Sequence, residues 1–170
     1  MSTLKVDSLV EKTSGNGVHI PGHVIQVVDT SNSNQIEYTG VNYIDTSTTA
    51  TITPKFSTSK ILVLHSAGGI FLNHDTEGNH SGNSALLQLK RNGVATNFNQ
   101  SRWMYHASGY WTGINWSFSY VDTPSTTSAL TYLITIGKDQ SSGNIRYNDH
   151  DSTISGSPRL ATLTLMEIAQ

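Results

Sequence analysis

Residues 84–98, with the sequence SALLQLKRNGVATNF, predict the fold class most directly. Two segments containing apolar residues, 84–90 and 94–98, flank the turn residues Arg91, Asn92 and Gly93. An Asn-Gly pair between two such segments favours a tight β-hairpin, because both residues adopt a positive φ at low energetic cost. This stretch therefore predicts two antiparallel strands joined by a short turn.

Segments of the same kind occur along most of the chain. Further strands are predicted at 23–29, 46–54, 60–72, 114–120, 129–136 and 160–168, with shorter ones at 35–39 and 145–147. The Gly68-Gly69 pair inside 60–72, the most apolar segment, indicates a bulge or a bend. About eight strands separated by turn residues are typical of a sandwich or a jelly roll. We therefore predict an all-β, jelly-roll-like antiparallel β-sandwich.

The composition supports this fold class and excludes several functions. Ser, Thr, Asn and Gly are abundant, and the long runs of Ala, Glu, Leu and Lys that are typical of stable helices do not occur. A formal net charge of -2 and a charged fraction of 13% give no basic surface for nucleic acid. No apolar run approaches the roughly 20 residues that span a bilayer, so we predict no membrane insertion. The absence of cysteine excludes disulfides and thiolate metal sites.

The first residues of the chain stand apart from these strands. Residues 4–20 lack the continuous apolar segment that is typical of a signal peptide. A two-stranded ribbon of this size buries too little apolar surface to be stable alone. Pro21-Gly22 marks a boundary. We therefore predict that residues 1–22 form an attachment or trimerisation extension, and that residues 23–170 form the sandwich domain. The predicted assembly residues of the extension are Leu4, Val6, Leu9, Val10, Val18 and Ile20.

Two segments resemble parts of known proteins. Residues 4–18, LKVDSLVEKTSGNGV, resemble a segment of tail-fibre and other virion structural proteins of bacteriophages, especially phages of aquatic bacteria. Residues 160–170, LATLTLMEIAQ, are similar to the closing strand of the same broad group. The resemblance implies a virion component, assembled in the host cytoplasm, that forms a homotrimer and contacts other virion proteins. It carries over no catalytic residues.

Three functions are compatible with the predicted fold and the resemblance. The first is a small trimeric fibre, spike or knob subunit that builds an appendage and contacts glycans of the host surface. The second is a capsid decoration or head-fibre protein that attaches to the shell. The third is a free carbohydrate-binding, lectin-like module. The loops predicted to be available for contact are 73–83, 102–113 and 148–158.

The polar loop at 73–83 contains residue types that bind divalent cations. His74, Asp75 and His80 are suitable ligands for zinc or nickel, and Glu77 lies among them. No predicted helix or paired strand holds these side chains in a converging geometry. A solvated loop is therefore the simpler interpretation, with a metal site as the alternative.

Aromatic residues are concentrated in the segment 102–120. Trp116, Phe118 and Tyr120 alternate along a predicted strand, which indicates core or subunit-interface residues. A second group surrounds the predicted loop 106–109, where exposed Trp and Tyr can stack on sugar rings or anchor a protein partner. Packing beneath the loop is the simpler interpretation of this group. The candidate glycan-binding residues are Trp103, Tyr105, Tyr110 and Trp111.

The sequence contains none of the common catalytic motifs. The patterns G-x-S-x-G, G-x-G-x-x-G and H-E-x-x-H and the phosphate-binding P-loop do not occur. Glycoside hydrolysis requires two carboxylates across a cleft, and a small sandwich provides no deep groove. We therefore predict a protein that is not an enzyme and requires no cofactor.

Overall fold

The computed structural model describes residues 6–11, 15, 18, 20–73, 83–104, 111–139, 143–149 and 159–170, except the side chains of residues 83, 103 and 104. Within these residues the chain forms strands and turns, all strand pairs are antiparallel, and no helix long and apolar enough to cross a membrane occurs. The all-β prediction is confirmed. The strands of the described part are β1 (Val24–Asn32), β2 (Ile36–Tyr38), β3 (Ile44–Ile52), β4 (Lys60–Ser66), β5 (Ile70–Asn73), β6 (Asn83–Arg91), β7 (Val94–Met104), β8 (Trp111–Ile114), β9 (Ser117–Asp122), β10 (Leu130–Lys138), β11 (Ile145–Tyr147) and β12 (Ala161–Ile168).

These strands form three four-stranded sheets. The first sheet has the order β1-β12-β4-β9, the second β3-β10-β6-β7 and the third β2-β11-β5-β8. When the strands of the first two sheets are numbered along the chain, they lie in the orders 1-8-3-6 and 2-7-4-5. This is the strand order of a jelly roll, in which two Greek keys form a double sheet. The predicted jelly-roll-like sandwich is therefore confirmed.

The third sheet continues the first. Its order repeats that of the first sheet, and each of its strands directly precedes or follows its counterpart in the chain. Pairing of Ser66 with Ser117 ends the first sheet, and pairing of Ile70 with Ile114 begins the third. The predicted strands at 60–72 and 114–120 are thus each interrupted once, which explains why the described part has more than the predicted eight strands.

The gap between β4 and β5 at Gly68 is occupied by residues from the last quarter of the chain. A Cβ atom on Gly68 would lie 2.8 Å from the Arg159 carbonyl carbon and 2.9 Å from Asn148 Oδ1. The Gly68 amide donates to Asn148 Oδ1, and Asn148 Nδ2 donates to the Asn32 carbonyl at 2.8 Å. Asn148 has a φ of 55°, the left-handed conformation that asparagine tolerates better than most residues. We call Asn32, Gly68, Asn148 and Arg159 the junction between the first and third sheets.

The β-hairpin predicted for residues 84–98 is confirmed. β6 pairs with β7, and the turn residues Asn92 and Gly93 have φ values of 50° and 79°. The Asn92 amide donates to the Thr131 carbonyl at 2.8 Å, and the Thr131 amide donates to Asn92 Oδ1 at 2.8 Å. The turn is therefore fixed to the neighbouring strand β10 as well as by its own geometry.

The inner faces of the first and second sheets form most of the core, to which the third sheet adds buried residues of β5 and β11. Trp116 is fully buried, and its indole N–H donates to Gln100 Oε1 at 3.0 Å. The rings of Phe98 and Phe118 stack with their centres 4.1 Å apart. These contacts agree with the predicted core position of the alternating aromatic residues. The buried face predicted for β10 is also confirmed, with Leu130, Tyr132, Ile134 and Ile136.

The structure corrects two of the predicted contact loops. β7 continues to Met104 and β8 begins at Trp111, so both ends of the predicted loop 102–113 are strand. Asn148 and Asp149, predicted to be available for contact, are 2% and 5% exposed. Neither side chain is available for a partner, because Asn148 accepts a hydrogen bond from the Gly68 amide in the junction and Asp149 accepts hydrogen bonds from Gln35 and Arg146.

Candidate functional site

The outer face of the first sheet divides into an apolar and a polar part. Strand register places the outward side chains in rows across the sheet. The first row is Val24, Ile168 and Lys60, and the second is Val27, Met166, Leu62 and Val121. The third is Asp29, Thr164, Leu64 and Ser119, and the fourth is Ser31, Thr162, Ser66 and Ser117. We call Val24, Val27, Leu62, Val121, Met166 and Ile168 the apolar half, and the fourth row the hydroxyl row.

The apolar half is accessible in the single chain. Val24, Val27 and Val121 are each 52% exposed, and the other members are half-buried. Scattered exposed valines are normal on a protein surface, whereas a contiguous apolar patch indicates an interaction site. Because neighbouring strands lie only about 4.8 Å apart, the rows bring these side chains into one patch. The apolar half is therefore the candidate assembly face of the domain.

The sequence contains a signal for this face that our prediction did not use. In β4, the residues that face the core, Ile61 and Val63, alternate with the equally apolar Leu62 and Leu64. A strand that is apolar on both faces is typical of a sheet that is covered on both sides. Our sequence-based prediction named the extension as the assembly segment and Trp116, Phe118 and Tyr120 as core or subunit-interface residues, but it did not include the apolar half.

The extension joins the domain beside the apolar half. The Gly22 amide donates to the Ala169 carbonyl, and the Ala169 amide donates to the His23 carbonyl, both at 2.9 Å. The His23 amide donates to the Ile20 carbonyl at 3.0 Å, and Gly22 has a φ of 85°, as in a type II turn. The extension is thus attached at the edge of the first row.

The predicted assembly residues differ in their exposure. Val6, Leu9 and Val10 are 52%, 58% and 83% exposed. Val18 and Ile20 are half-buried, and Leu4 lies outside the described residues. The division of the chain at residue 22 and the assembly role of these residues stay predictions. The exposed apolar side chains are nevertheless the kind of surface that such a role requires.

The outer face of the third sheet carries a different set of side chains. Register places Glu37, Arg146, Phe71 and Gly113 in one row. Arg146 Nε donates to Glu37 Oε2 at 3.0 Å, and its Nη1 donates to Asp149 Oδ2 at 3.1 Å. The guanidinium carbon lies 3.9 Å from the centre of the Trp111 ring, which is a cation–π contact. We call Glu37, Phe71, Trp111, Arg146 and Asp149 the arginine face.

The arginine face is held in place by its own contacts. Asp149 accepts a second hydrogen bond from Gln35 Nε2. The Phe71 ring occupies the space that a side chain on Gly113 would require. One side of the Trp111 indole is covered by Arg146, so a sugar can stack on that side only if Arg146 moves. The arrangement is therefore closer to a packed Trp111, the simpler interpretation from the sequence, than to an open stacking platform.

The other candidate glycan-binding residues are not brought together by the described part. Trp103 lies in β7, where its backbone pairs with Ser84, and its side chain is outside the described set. Tyr105 and Tyr110 also lie outside the described residues. Glycan binding by this group stays a prediction.

The candidate metal ligands His74, Asp75 and His80 lie outside the described residues as well. The strands that flank their loop are described, and Asn73 at the end of β5 pairs with Trp111 at the start of β8. Among the residues that the structure describes, no group of three His, Asp or Glu side chains could hold a metal ion. The metal site stays a prediction.

His65 and Tyr147 are titratable residues whose side chains are buried between the sheets. His65 Nδ1 donates to the Thr162 carbonyl at 2.8 Å, and burial lowers the pKa of His65 to about 4, although this hydrogen bond opposes the shift. Burial raises the pKa of Tyr147 to about 12, and its hydroxyl shares a hydrogen bond of 2.9 Å with Thr48. Both side chains are therefore neutral at neutral pH, as the core requires.

A buried carboxylate lies beside a small cavity at the other edge of the domain. Asp122 accepts hydrogen bonds from Arg91 at 2.6 and 2.8 Å and from the Tyr132 hydroxyl at 2.6 Å. The bond to Asp122 raises the pKa of Arg91 above its usual value. The cavity of about 190 Å³ is smaller than the roughly 300–1,000 Å³ of typical ligand sites. With both carboxylate oxygens engaged, Asp122 is a structural residue.

Comparison with known proteins gives matches of low similarity. No protein-family model matches the chain, and no curated protein matches it. A structure of infectious bursal disease virus, Gx strain, is 13% identical, with 96% of this chain and 42% of that chain covered and a TM-score of 0.40. Dimeric latent PorU from Porphyromonas gingivalis is 10% identical, with coverages of 91% and 14% and a TM-score of 0.39. This chain thus spans less than half of either structure, and its jelly-roll assignment rests on its own strand order.

Proposed function

We propose that this chain is a virion structural protein whose jelly-roll domain acts by self-association and by contact with other virion proteins. The observation that supports this most is the apolar half, a contiguous exposed surface on a domain that already has its own core. A jelly roll alone does not specify a function. The resemblance of residues 4–18 and 160–170 to phage virion proteins supplies the second argument.

The apolar half provides a physical driving force for association. Fully burying one Val, Leu, Ile or Met side chain contributes about 1.5–3 kcal/mol. The six side chains of the apolar half are already partly covered, so completing their burial contributes several kcal/mol in total. Association costs about 4–15 kcal/mol in lost translational and rotational entropy. Burial of the apolar half alone does not offset this cost, so the partner must make further contacts.

Within the virion, we propose a homotrimeric fibre, spike or knob subunit, with the extension as its point of attachment. A capsid decoration or head-fibre protein is the alternative. In both arrangements the apolar half and the extension contact virion partners, while the arginine face lies on the other part of the strand array. The proposed mechanism is assembly and binding, without a catalytic step or a cofactor.

Sedimentation of the full-length protein tests self-association. We expect an oligomer, a trimer under the finer proposal, that is weakened roughly 100-fold or more when Val27→Asp and Val121→Asp are combined. These side chains are 52% exposed, so the monomer should still fold. The matched control carries Ser31→Asp and Ser117→Asp, on the same strands and face but in the hydroxyl row. A wild-type protein that sediments as a monomer would contradict the proposal.

Analysis of purified particles tests the virion role separately. We expect peptides of this chain in intact particles, as detected by mass spectrometry. Separation of heads from tails then distinguishes a decoration protein from an appendage subunit. An oligomeric protein that is missing from every particle fraction would remove the virion role and leave self-association in place.

A second candidate function is saccharide binding at the arginine face. The observation in its favour is that Phe71 and Trp111 combine aromatic surface with the charged groups of Glu37 and Arg146 on one sheet face. A glycan array of bacterial polysaccharides tests this, with Trp111→Ala expected to abolish binding. The control is Val94→Ala, at a site 71% exposed on the β6–β7 hairpin. If the wild-type protein binds no glycan on the array, or if Trp111→Ala still binds, this function is contradicted.

A further inference from the structure

We propose that the extension of one copy lies across the apolar half of a second copy, so that neighbouring subunits are joined by an exchanged arm. The inference rests on the proposed self-association and names the two surfaces that meet. The residues that carry it are Val6, Leu9 and Val10 on the arm, and Val27 and Val121 on the receiving sheet.

Both surfaces are exposed within one chain. The three arm residues are between 52% and 83% exposed, and Val27 and Val121 are each 52% exposed. Contiguous apolar surface that remains in water marks an interaction site. Two such exposed surfaces on the same molecule are both covered when one copy supplies the arm and another copy supplies the sheet.

The attachment point makes this exchange geometrically direct. The Gly22–Ala169 hydrogen bond fixes the root of the arm at the border of the apolar half and not beside the hydroxyl row. Between Val10 and Gly22, 11 residues can span at most roughly 35–40 Å. The four strands of the first sheet are only about 15 Å wide. An arm can therefore cross from the edge of one domain to the apolar half of an adjacent one.

The shape of the apolar half favours an arm over a second sheet as the occupant. The patch covers two rows, and the hydroxyl row lies on the same face two rows farther along. Face-to-face packing of two such sheets would also remove Asp29 and the hydroxyl row from water, which is unfavourable without new hydrogen bonds. A single extended segment covers the two apolar rows and leaves the hydroxyl row hydrated.

An arm exchange also gives a closed assembly. Each copy has one arm and one receiving face, so the contact is heterologous, and such contacts form a ring when the rotation between copies closes. Three copies around a threefold axis would place one arm on every apolar half. The proposed trimer is the smallest ring of this kind above a reciprocal dimer.

Disulfide trapping tests the inference directly, because the chain has no cysteine of its own. Two differently tagged full-length chains, one carrying Val10→Cys and the other Val121→Cys, are co-expressed and oxidised. We expect a disulfide between the two tags, with a yield at least tenfold above that of a control pair. The control replaces Val121→Cys by Ser117→Cys, on the same strand and face but in the hydroxyl row.

Each alternative gives a different product. A disulfide between two Val121→Cys chains that exceeds the mixed product would overturn the inference in favour of face-to-face packing. A single chain carrying both substitutions that closes on itself, without a mixed product, would show that the arm covers its own sheet. An oligomer with equal mixed yields for Val121→Cys and the control would overturn the arm exchange but leave self-association intact. A monomer would overturn both.

Discussion

The first and third sheets have corresponding strand orders, yet the side chains on their outer faces differ in how far they contact one another. On the first sheet, the apolar half leaves three valines each 52% exposed. On the third sheet, Arg146 is bound by Glu37 and Asp149 and lies against Trp111, all within one chain. One face therefore leaves apolar side chains in water, whereas the other is completed by contacts within the chain.

This difference shows that strand pairing and surface role are determined separately. The backbone ladder continues through both sheets, and only the outward side chains change. The stabilisation from apolar burial increases with the area removed from water, so covering the apolar half with a partner would add stability. Exposed ion pairs contribute only about 0–1 kcal/mol each, and they gain little from a second copy. The junction joins two surfaces with these opposite properties.

The largest effect is expected from a substitution that breaks the junction. Asn148→Ala removes the hydrogen bonds to the Gly68 amide and the Asn32 carbonyl and places alanine at a φ of 55°. Unsatisfied buried groups cost about 1–3 kcal/mol each, and the left-handed conformation adds about 1–2 kcal/mol. We expect the free energy of unfolding to fall by about 4 kcal/mol, as measured by denaturant titration.

The control for this substitution is Asn148→Gly. Glycine adopts the same φ without strain, so the difference between the two variants isolates the conformational contribution from the hydrogen bonds. Hydrogen exchange should show that β5 and β11 are destabilised more than β4 and β12, because the third sheet depends on the junction. Equal stability of the wild-type protein and Asn148→Ala would show that the two sheets are held together by other contacts.

A smaller effect is expected from pH, through a group that contacts both sheets. The His65 ring lies 5.3 Å from that of Phe118 in the first sheet and 6.3 Å from that of Tyr147 in the third. The pKa of His65 is about 4 in the folded chain, compared with 6.5 for a histidine in water. The unfolded chain therefore binds more protons between these values, and the stability present above pH 6.5 is lost as pH falls towards 4.

The expected loss from His65 is about 3 kcal/mol, because one pKa unit corresponds to about 1.4 kcal/mol. The measurement is a series of denaturant titrations between about pH 7 and pH 4. Carboxylates contribute to the same curve, so the wild-type protein is compared with His65→Phe, which cannot titrate at this position. The two pH dependences should differ by the His65 contribution. Parallel curves would contradict the assignment.

The sequence predicts the jelly roll well, because local patterns determine each of its main strands. The Asn92-Gly93 turn and the alternation in β10 each follow from turn chemistry and period-two patterning. Division of the predicted strand 60–72 between two sheets could not be predicted, since it depends on Asn148 and Arg159, which are distant in sequence. The Gly68-Gly69 pair indicated a bend there but not what fills it.

The candidate surfaces were less predictable than the fold. The sequence indicates Trp111 as one of the aromatic residues beside the predicted loop 106–109, but its partner Arg146 is brought to it only by the order of strands in the third sheet. The apolar half requires the register of four strands, because Val27 and Val121 are far apart in the chain. Surface chemistry that depends on register is hidden from a single sequence, even when the strands themselves are evident.

The smallest effect on stability is expected from Arg146→Ala, which removes the centre of the arginine face. The side chains of Arg146 and Glu37 are 29% and 41% exposed, so solvent screens this ion pair, whereas the Asp149 side chain is only 7% exposed and keeps only its bond to Gln35 when Arg146 is removed. We expect the free energy of unfolding to fall by about 2 kcal/mol, mainly from the lost Asp149 pair, with smaller contributions from the Glu37 pair and the Trp111 contact. Arg146→Lys should recover only part of this loss, because an ammonium group lacks the planar surface that stacks on indole.

The same variant sharpens the comparison between the two sheets. Sedimentation of Arg146→Ala should match that of the wild-type protein, because the arginine face is complete within one chain. Val27→Asp with Val121→Asp should show the reverse, with weakened association and little change in the stability of the monomer, since both side chains are 52% exposed. If Arg146→Ala dissociates the oligomer, the third sheet also contributes to the interface, and the division between a self-contained face and an assembly face is wrong.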